Sequence, residues 1–373
     1  MEDLGEIMFN NIYVDKKVLV TGHTGFKGSW LITWLIKLGA NVVGISKDIP
    51  TKPSMFEELK LQDKIIHYEE DIRDLTKMLE IVSTEKPDFL FHLAAQPIVS
   101  TSYTNPIETI SSNVMGTANI LEALKTSNHK CTAIIITSDK AYDNIEQVWG
   151  YKEDDKMGGK DIYSGSKGAA ELIIKSYYYS FLQSDKCNIK LAIGRAGNVI
   201  GGGDWAKDRI VVDCMKAWSK EKSVEIRSPQ ATRPWQHVLE PLGGYLNLGQ
   251  ALYLDDSLNG EAFNFGPRAD QNHTVAQLLE DLSKYWNFEN IANAFTVTDN
   301  IPFHEAGLLK LNCDKALFYL KWQANLNYID TIRFTSEWYY DFYKNKEDML
   351  TKTLNQISEY ENMAEDKNLL WTE

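Results

Sequence analysis

A tyrosine and a lysine four residues apart, Tyr163 and Lys167, form the pair with the clearest chemical use in this sequence. On a helix, residues at this spacing lie on one face. A phenol with a pKa near ~10 is a poor base at neutral pH, but a nearby ammonium group favours the phenolate and lowers that pKa. The pair could therefore take a proton from a sugar hydroxyl while hydride leaves for a nicotinamide. Because this spacing is also common by chance, it needs support elsewhere.

A glycine-rich turn supplies that support, since Gly22, Gly25 and Gly28 follow a short apolar run and open a helical pattern. They permit, in that order, a tight turn, close approach to a diphosphate, and close packing of the helix on the strand. The helix N-terminus would then face the negative charge. Asp48 lies about 20 residues further on, where a carboxylate can bind an adenosine ribose. This favours NAD over NADP, although Lys47 beside it weakens the preference, and a turn that binds nothing is the alternative.

A third group, Ser138-Asp139-Lys140, follows Thr137 at the end of another apolar run. Ser138 could share a hydrogen bond with the reacting hydroxyl. Asp139 could be a general acid if its surroundings raise its pKa, and Lys140 could be a base only if burial or neighbouring charges depress its pKa. The alternative is a solvated surface turn. The order of this group along the chain, between the glycine turn and the Tyr–Lys pair, favours a crevice that all three motifs share.

The second half of the chain offers cations rather than metal ligands. Arg209, Arg233 and Arg268 are candidates for binding diphosphate oxygens, because guanidinium forks suit them, although surface salt bridges are the alternative for each. The pair His304-Glu305 lacks a zinc-binding spacing. We interpret it as a polar contact, and the sequence predicts no metal.

These residues need a scaffold that brings distant segments together. The predicted strands are Lys17–Thr21, Asn41–Ser46, Ile65–Glu69, Asp88–Leu93, Ala133–Thr137 and Lys190–Gly194. The predicted helices between and after them are Lys27–Leu38, Asp74–Thr84, Pro106–Thr126 and Tyr163–Leu182. Apolar strands alternating with helices favour an α/β fold, a Rossmann-type doubly wound parallel sheet covered on both faces. Such a sheet binds ligands at the carboxyl ends of its strands.

After Arg195 the regular alternation of strand and helix signals gives way to short segments with mixed patterns. This change predicts a smaller, mixed C-terminal substrate-binding lobe. The predicted organisation is an NAD-binding domain over residues 13–195, to which 233–265 could return, a substrate lobe over 196–345, and a polar tail over 346–373. The last ~20 residues are expected to be loosely held. The aromatic stretch Phe318–Lys344 is predicted to be a terminal helix packed on the core.

Composition narrows the class of protein further. The chain has 373 residues, 43% of them hydrophobic, with 39 basic and 52 acidic side chains and a net charge of -13. This excludes disorder over most of the length and argues against binding of duplex nucleic acid. No apolar run approaches the roughly 20 residues that span a bilayer, no secretory signal is visible, and the four cysteines stand far apart. We expect a soluble, reduced, cytoplasmic protein.

Several motifs occur in an order that resembles the extended short-chain dehydrogenase/reductase family. They are TGHTGFKG, Asp71-Ile72, His92-Leu93-Ala94-Ala95-Gln96, Asn113-Val114-Met115-Gly116-Thr117, TSDKAYDN, YSGSK and GRAGNVIGGGDWA. The resemblance covers about Lys16 to Trp338. Within the family the chain is most similar to the 4,6-dehydratases that act on CDP-glucose, because of His23, Ser138-Asp139-Lys140 and the segment RPWQHVLEPLGGYL.

The resemblance implies a bound NAD, a nucleotide-sugar substrate and at least a homodimer, since the helices Pro106–Thr126 and Tyr163–Leu182 carry apolar positions beyond one stripe. The implied cofactor-binding residues are Gly22, Thr24, Gly25, Phe26, Gly28, Asp48, Asp71, Ile72, Leu93, Ala94, Ala95, Gln96, Thr137, Tyr163 and Lys167. The implied catalytic residues are Ser138, Asp139, Lys140, Tyr163 and Lys167. The implied substrate-binding residues are Asn198, Arg209 and Arg233.

The implied reaction is oxidation at carbon 4, elimination of water across carbons 5 and 6, and reduction at carbon 6. Related dehydratases carry a Glu at the place of Lys140, which removes the proton from carbon 5. Lys140 could do so only when neutral; otherwise it stabilises the enolate as a cation. A dehydratase for another nucleotide sugar, such as a GDP-heptose, a nucleotide-sugar 4-epimerase and an NAD-sensing regulator are the alternatives.

Overall fold

The computed structural model describes residues 8–184, 186–268, 271–286, 288, 293–298 and 308–373. The strands are β1 (Lys17–Thr21), β2 (Asn41–Ser46), β3 (Ile66–Glu69), β4 (Phe89–His92), β5 (Cys131–Ile136), β6 (Ile189–Ala196), β7 (Val199–Ile200), β8 (Val224–Ile226), β9 (Thr232–Arg233), β10 (Gln236–His237), β11 (Ala262–Phe265), β12 (His273–Thr274) and β13 (Phe295–Val297). The helices are α1 (Phe26–Lys37), α2 (Met55–Glu58), α3 (Leu75–Glu85), α4 (Val99–Thr104), α5 (Pro106–Ile110), α6 (Gly116–Ser127), α7 (Ile162–Tyr177), α8 (Ile210–Trp218), α9 (Leu239–Leu254), α10 (Val275–Ser283), α11 (Asp314–Leu320), α12 (Tyr328–Tyr340) and α13 (Met349–Asp366).

A seven-stranded sheet lies at the centre, with the strand order β11-β6-β5-β4-β1-β2-β3. All of its neighbouring strands are parallel. β1 pairs with β2 on one side and with β4 on the other, so the chain winds outward from β1 in both directions. Sheets of this kind bind ligands beyond the carboxyl ends of the strands at that reversal point. The predicted Rossmann-type doubly wound sheet is confirmed.

Helices cover both faces of this sheet, which explains why its central strands are almost continuously apolar. Val18 and Val20 of β1 join a core that includes α1 and α9, whereas Leu19 joins a second core that includes α3 and α6. Successive side chains of a strand point to opposite faces, so each face needs its own apolar set. Polar side chains therefore gather at the strand ends, where the covering helices leave a crevice.

Two of the predicted helices are interrupted or extended by wider turns. The single helix predicted over Pro106–Thr126 is divided by a π-helical turn at Ser111–Met115, and the end of the helix predicted over Tyr163–Leu182 is a π-helical turn at Tyr178–Leu182. The first turn contains Asn113, whose Nδ2 donates to Ser166 Oγ at 2.9 Å. This side-chain bond ties the turn to α7, a long-range contact that the local pattern does not show.

The chain after Arg195 contributes to the sheet as well as to a separate region. α9 packs against β5 and β6, and β11 extends the sheet beside β6. Three short strand pairs, β7 with β10, β9 with β12, and β8 with β13, lie outside the main sheet. The boundaries of the two lobes stay predictions.

Two expectations for the C-terminal segment are wrong. The aromatic stretch is not one helix, because residues 321–327 separate α11 from α12. Nor is the end of the chain loosely held, because α13 packs on α1 and carries a buried apolar stripe. Trp34 Nε1 donates to Glu361 Oε1 at 2.8 Å, and Lys37 pairs with the same carboxylate. The mostly polar composition concealed the helical spacing of Ile357, Tyr360 and Ala364.

The last buried side chain of the chain should matter for stability. Trp371 is 1% exposed and stacks on Phe9 with ring centroids 5.0 Å apart and on Tyr360 at 5.8 Å, whereas neighbouring Leu370 is 51% exposed. Trp371→Ala leaves a cavity between three elements and should lower the free energy of unfolding by about 3–5 kcal/mol. Leu370→Ala, the matched control, should change it by less than about 0.5 kcal/mol. Equal effects of the two substitutions in urea unfolding would contradict this docking.

Candidate active site

The glycine turn connects β1 to α1 and presents the start of that helix to the crevice. Gly22 has φ of +75°, and a Cβ there would lie 2.8 Å from the backbone nitrogen of Ala94. A Cβ at Gly28 would overlap the carbonyl oxygen of Gly22. At Gly25 a Cβ would meet Gly22 O at 3.3 Å, a closer fit than an ordinary contact. Two of the three glycines thus allow backbone segments to touch, and Gly25 leaves the helix start accessible.

The predicted cofactor residues beyond the turn surround the ends of β2 and β3. Thr24 Oγ1 donates to the carbonyl oxygen of Asp48 at 2.7 Å, which fixes that backbone beside the glycine turn. The Asp48 carboxylate is exposed and lies 3.9 Å from Lys47 Nζ. Asp71 forms a two-pronged ion pair with Arg73, with the closest atoms 2.6 Å apart. Asp48 is thus open to a ligand, whereas Asp71 already has a partner.

Other predicted cofactor residues line the opposite side of the turn. Ala94 N donates to Thr21 Oγ1 at 3.1 Å, so the 93–95 backbone follows the glycine turn closely. Gln96 differs from the expectation, because its Nε2 donates to Thr109 Oγ1 at 2.8 Å and its Oε1 accepts from Ile98 N at 2.5 Å. Its side chain is therefore held within the turn that follows β4. Ile72 is buried against Gly116.

His23, inside the glycine turn, links the turn to β2 and β3. Its Nε2 lies 2.7 Å from His67 Nδ1, and its Nδ1 lies 3.0 Å from Ser46 Oγ. Burial, with a smaller contribution from His67, lowers the pKa of His23 to about 4. The ring is therefore neutral at physiological pH and acts as a hydrogen-bonded spacer, filling the volume beside Gly44.

The structure brings the side chains of Ser138, Asp139 and Tyr163 to one place. Ser138 Oγ donates to Asp139 Oδ1 at 3.0 Å and accepts from Lys140 N at 3.2 Å, which shapes a short 3₁₀ turn at Asp139–Ala141. Burial raises the pKa of Tyr163 to about 12, although a hydrogen bond with Ser138 lowers it. The phenol is therefore protonated in the resting protein and shares its neighbour with Asp139.

Asp139 has the properties of a general acid. Burial raises the pKa of its carboxyl, while the charges of Lys140 and Lys27 and the bond from Ser138 lower it. A Cβ at Gly197 would lie 2.9 Å from Asp139 Oδ2, so only glycine leaves room there for the carboxyl. Asp139 also lines a small cavity with Pro234, Gln236 and Leu309, among others, which belong to the second half of the chain.

Helix α7 holds Tyr163 and Lys167 in the crevice. Its first turn is capped by Asp161, whose carboxylate accepts from Ser164 N at 2.9 Å and from Ser164 Oγ at 2.7 Å. Tyr163, Lys167 and Glu171 are all buried on one face of the helix. Burial lowers the pKa of Lys167 to about 8, and Glu171 opposes that shift.

The sequence prediction missed Lys27, in the first turn of α1. Its ammonium interacts with the charges of Asp139, Lys167 and Arg209, so it points into the crevice and not to solvent. Burial and the two neighbouring cations lower its pKa to about 8, and Asp139 opposes them. Its place between the second and third glycines of the turn was the available signal, because that helix start faces the switch point.

The three predicted substrate-binding residues lie in different surroundings. Arg209 forms an ion pair with Asp204 at 2.9 Å and interacts with the charges of Lys27 and Tyr163. Asn198 is exposed in the turn between β6 and β7. Arg233 lies on β9, where its Nη1 donates to the carbonyl oxygen of Thr232 at 2.8 Å. Arg209 is thus connected to the catalytic groups by its charge.

Within the described part of the chain, no group of three or more His, Cys, Asp or Glu side chains could hold a metal ion. Across those same residues, no helix is long and apolar enough to span a membrane. The pair His304-Glu305 lies outside the described residues. The four cysteines are free thiols.

Comparison with known proteins finds relatives that match most of the chain. The chain is 44% identical over 353 residues to a CDP-glucose 4,6-dehydratase of Salmonella typhimurium, covering 94% of this chain and 97% of the relative. Among solved structures it resembles a dTDP-glucose 4,6-dehydratase of Streptomyces venezuelae determined with NAD bound, with a TM-score of 0.75, 17% identity, and coverage of 90% and 99% of the two chains.

A second solved structure that is similar is a UDP-glucuronic acid 4-epimerase of Bacillus cereus in complex with UDP-glucuronic acid and NAD. The TM-score is 0.73 at 24% identity, over 89% of this chain and 100% of the other. The family model described as GDP-mannose 4,6 dehydratase matches residues 19–333. With most of its length matched, the chain belongs to the GDP-mannose 4,6-dehydratase family within the extended short-chain dehydrogenases/reductases.

Proposed function

We propose that the protein is a nucleotide-sugar 4,6-dehydratase that converts CDP-glucose to CDP-4-keto-6-deoxyglucose with a recycled bound NAD. The observation that carries the proposal is the meeting of Ser138, Asp139 and Tyr163 in one buried crevice. A base for the 4-hydroxyl and an acid for the 6-hydroxyl are two of the groups that the reaction needs. The 44% identity to a CDP-glucose 4,6-dehydratase supports the choice of substrate.

The glycine turn fits an NAD diphosphate. Gly25 leaves the start of α1 accessible, Asp48 is open to a ribose, and Lys167 is buried on the face of α7 that carries Tyr163. When bound, NAD would accept hydride from carbon 4 of the sugar and later return it to carbon 6. The residues for this role are those predicted from the sequence, with Gln96 restricted to backbone contact because its side chain is engaged.

In the oxidation step, Tyr163 takes the proton of the 4-hydroxyl. Burial raises the pKa of the Tyr163 phenol, whereas the hydrogen bond with Ser138 and the charge of Arg209 lower it. The ammonium of Lys167, four residues further along α7, is proposed to favour the phenolate as well. Ser138, which bonds to Tyr163, can also bond to the same hydroxyl. Proton removal from the hydroxyl makes departure of hydride from carbon 4 favourable.

In the elimination step, Asp139 protonates the departing 6-hydroxyl, consistent with its raised pKa. The ketone at carbon 4 acidifies the proton on carbon 5. Lys140 follows Asp139 in the same short turn, and its proposed role is to remove that proton or to stabilise the enolate. Arg209 would meet the diphosphate, with Asn198 and Arg233 beside it.

A 4-epimerase is the alternative that the solved structures keep in view, since several of them carry that activity in their description. An epimerase needs Tyr163 and Lys167 but no acid that expels a 6-hydroxyl, so buried Asp139 favours the dehydratase. The four free cysteines support a reducing, cytoplasmic location.

Two substitutions should separate oxidation from elimination. Tyr163→Phe removes the proton acceptor and should slow every step by about 10²–10⁴. Asp139→Asn keeps the size of the side chain but cannot donate the same proton, so reduced cofactor should accumulate while 4-keto-6-deoxy sugar forms slowly. The checks are absorbance of the reduced cofactor and the alkali-induced absorbance of the product from CDP-glucose. Full dehydration by Asp139→Asn would show that another group is the acid.

Lys27 should set the pH range of elimination through Asp139. Its charge lowers the pKa of Asp139, so Lys27→Met should raise that pKa and extend elimination to higher pH. Lys27→Arg keeps a cation above pH 8, where Lys27 itself loses its proton. Elimination should therefore begin to decline at a lower pH than in the wild type. The measurement is the pH profile of product formation.

The matched control for Lys27 is Lys156→Met, because Lys156 is 82% exposed and pairs with Asp143 on the surface. It removes one charge from the chain without a contact in the crevice. Its profile should follow the wild type. If the pH profiles of product formation are identical in Lys27→Met and Lys27→Arg, an electrostatic role for Lys27 is excluded.

We also propose that the protein is at least a homodimer. Large apolar side chains are exposed on α5, α7 and the π-helical turns beside them: Ile107, Ile110, Met115, Leu172, Tyr179 and Phe181. α5 and α7 pack against each other, so these side chains belong to neighbouring elements. A second copy could bury them as one helical interface.

Charge placed in that surface should break the assembly. Ile107, on α5, is 75% exposed, and Leu254, at the end of α9, is 65% exposed outside this surface. Ile107→Lys should lower the mass measured by light scattering at micromolar concentration to that of a monomer, because an unpaired ammonium cannot be buried. Leu254→Lys should leave the mass unchanged. A monomeric wild type would refute the dimer.

A further inference from the structure

Behind the catalytic pair lies a buried ion pair between Glu171 of α7 and Arg195 of β6. Arg195 Nε donates to Glu171 Oε1 at 2.9 Å and Nη2 donates to Oε2 at 3.0 Å, and each side chain is 4% exposed. Removing two ions from water costs several kcal/mol for each, and apolar residues of similar volume often stabilise a fold as well. The burial of this pair therefore indicates a role other than packing.

The remaining polar atoms of the pair are used to connect segments around the crevice. Thr137 Oγ1, at the end of β5, donates to Glu171 Oε1. Arg195 Nη1 donates to Tyr142 Oη at 2.7 Å and to the carbonyl oxygen of Glu153 at 2.9 Å. Tyr142 Oη in turn donates to Asn264 Oδ1 of β11 at 2.8 Å. The network thus joins α7 to three strands and to the segment that follows Asp139.

Glu171 is also the anion nearest in register to the catalytic lysine. Tyr163, Lys167 and Glu171 follow one another at four-residue intervals, so they share one helix face. The other charged or titratable groups that interact with Lys167 are Lys27 of α1, a cation, and His92 of β4, whose buried ring is neutral. Glu171 is therefore the group in this set whose charge favours the ammonium form of Lys167.

We propose that Glu171, oriented by Arg195 and Thr137, is a positioning residue for the oxidation step, which acts on Lys167 of the same helix face through its negative charge. The inference rests on the proposed function, because Lys167 must be charged to favour the Tyr163 phenolate. Glu171 does not touch the reacting atoms; it acts through Lys167. Two guanidinium hydrogen bonds and one hydroxyl hydrogen bond fix the orientation of its carboxylate oxygens.

The sign of the expected effect follows from the charges. Burial already lowers the pKa of Lys167 to about 8, and Glu171 limits that fall. Glu171→Gln removes the attraction and leaves the Arg195 cation without its anion, and both changes lower the pKa of Lys167 further. Lys167 then loses its proton at a lower pH, so oxidation should begin to decline at a lower pH than in the wild type.

The experiment measures oxidation in the Asp139→Asn background, where reduced cofactor should accumulate with CDP-glucose. Adding Glu171→Gln should lower the oxidation rate about tenfold at pH 8 for each unit by which the pKa of Lys167 falls, and less at pH 6. Glu171→Asp, which keeps the charge, should restore the position of the high-pH decline even if the rate stays low.

Tyr142→Phe is the matched control. It removes one hydroxyl from the same buried network, with its bonds to Arg195 and Asn264, but leaves the charge of Glu171 in place. Its stability should fall while the pH at which oxidation declines stays that of the wild type. A merely structural role for Glu171 predicts the same outcome for both substitutions, and that result would overturn the proposal.

A second measurement needs no substrate. The pH dependence of acetylation of Lys167 by acetic anhydride, followed by mass spectrometry, reports when its amine becomes neutral. The onset should lie at a lower pH in Glu171→Gln than in the wild type, and an unchanged onset would refute the proposal. Failure of the wild type to dehydrate CDP-glucose would instead count against the proposed function and would leave this labelling result interpretable by itself.

Discussion

Burial of ionisable groups is the constraint on which the chemistry of this site depends. Removal from water disfavours the charged form of every group in the crevice. It raises the pKa values of Asp139 and Tyr163 and lowers those of Lys167 and Lys27. For Asp139 this direction suits an acid that must carry its proton. For Tyr163 and Lys167 it opposes the task, so the fold has to supply compensating partners, and Ser138 and Glu171 are those partners.

The parallel sheet explains how such groups come together. β1 and β4 are neighbours in the sheet although their ends, Thr21 and His92, are distant in sequence, and β5 follows beside β4. The glycine turn, the 93–96 segment and the turn around Asp139 therefore open at the same edge. α7 packs against the turn at Asp139–Ala141 and so brings Tyr163 and Lys167 to the same region. Each motif is local, but the crevice is a property of the strand order.

Local patterns predicted the first six strands of the main sheet but not β11 or the short strand pairs, and they were insufficient where a long-range contact decides. The bounds of β1 and β2 could be predicted because their apolar runs end in glycine or polar residues. The partnership of Glu171 with Arg195 could not, because neither residue has a local signal for burial. Helix α13 was missed because its apolar stripe is narrow and is buried only through packing on α1, a contact that the local sequence does not show. The hydrogen bonds of the Gln96 side chain to Thr109 and Ile98 could not be predicted either, because they depend on how the chain turns after β4.

The balance of charge in the crevice gives a reason why catalysis would depend on occupancy. Lys27, Lys140, Lys167 and Arg209 gather there with Asp139, and Asp204 already pairs with Arg209. In the proposed function, the diphosphates of NAD and of the nucleotide sugar add negative charge to this excess of cations. Negative charge raises the pKa of Lys167, which keeps it protonated, and raises that of Asp139, which keeps it an acid. It also raises that of Tyr163, against the need for a phenolate, so the direct influence of Lys167 must outweigh it. Proximity decides this competition, because the interaction between charges falls with distance. The four-residue spacing on α7 is therefore the feature that lets one site hold anionic ligands and still generate a base.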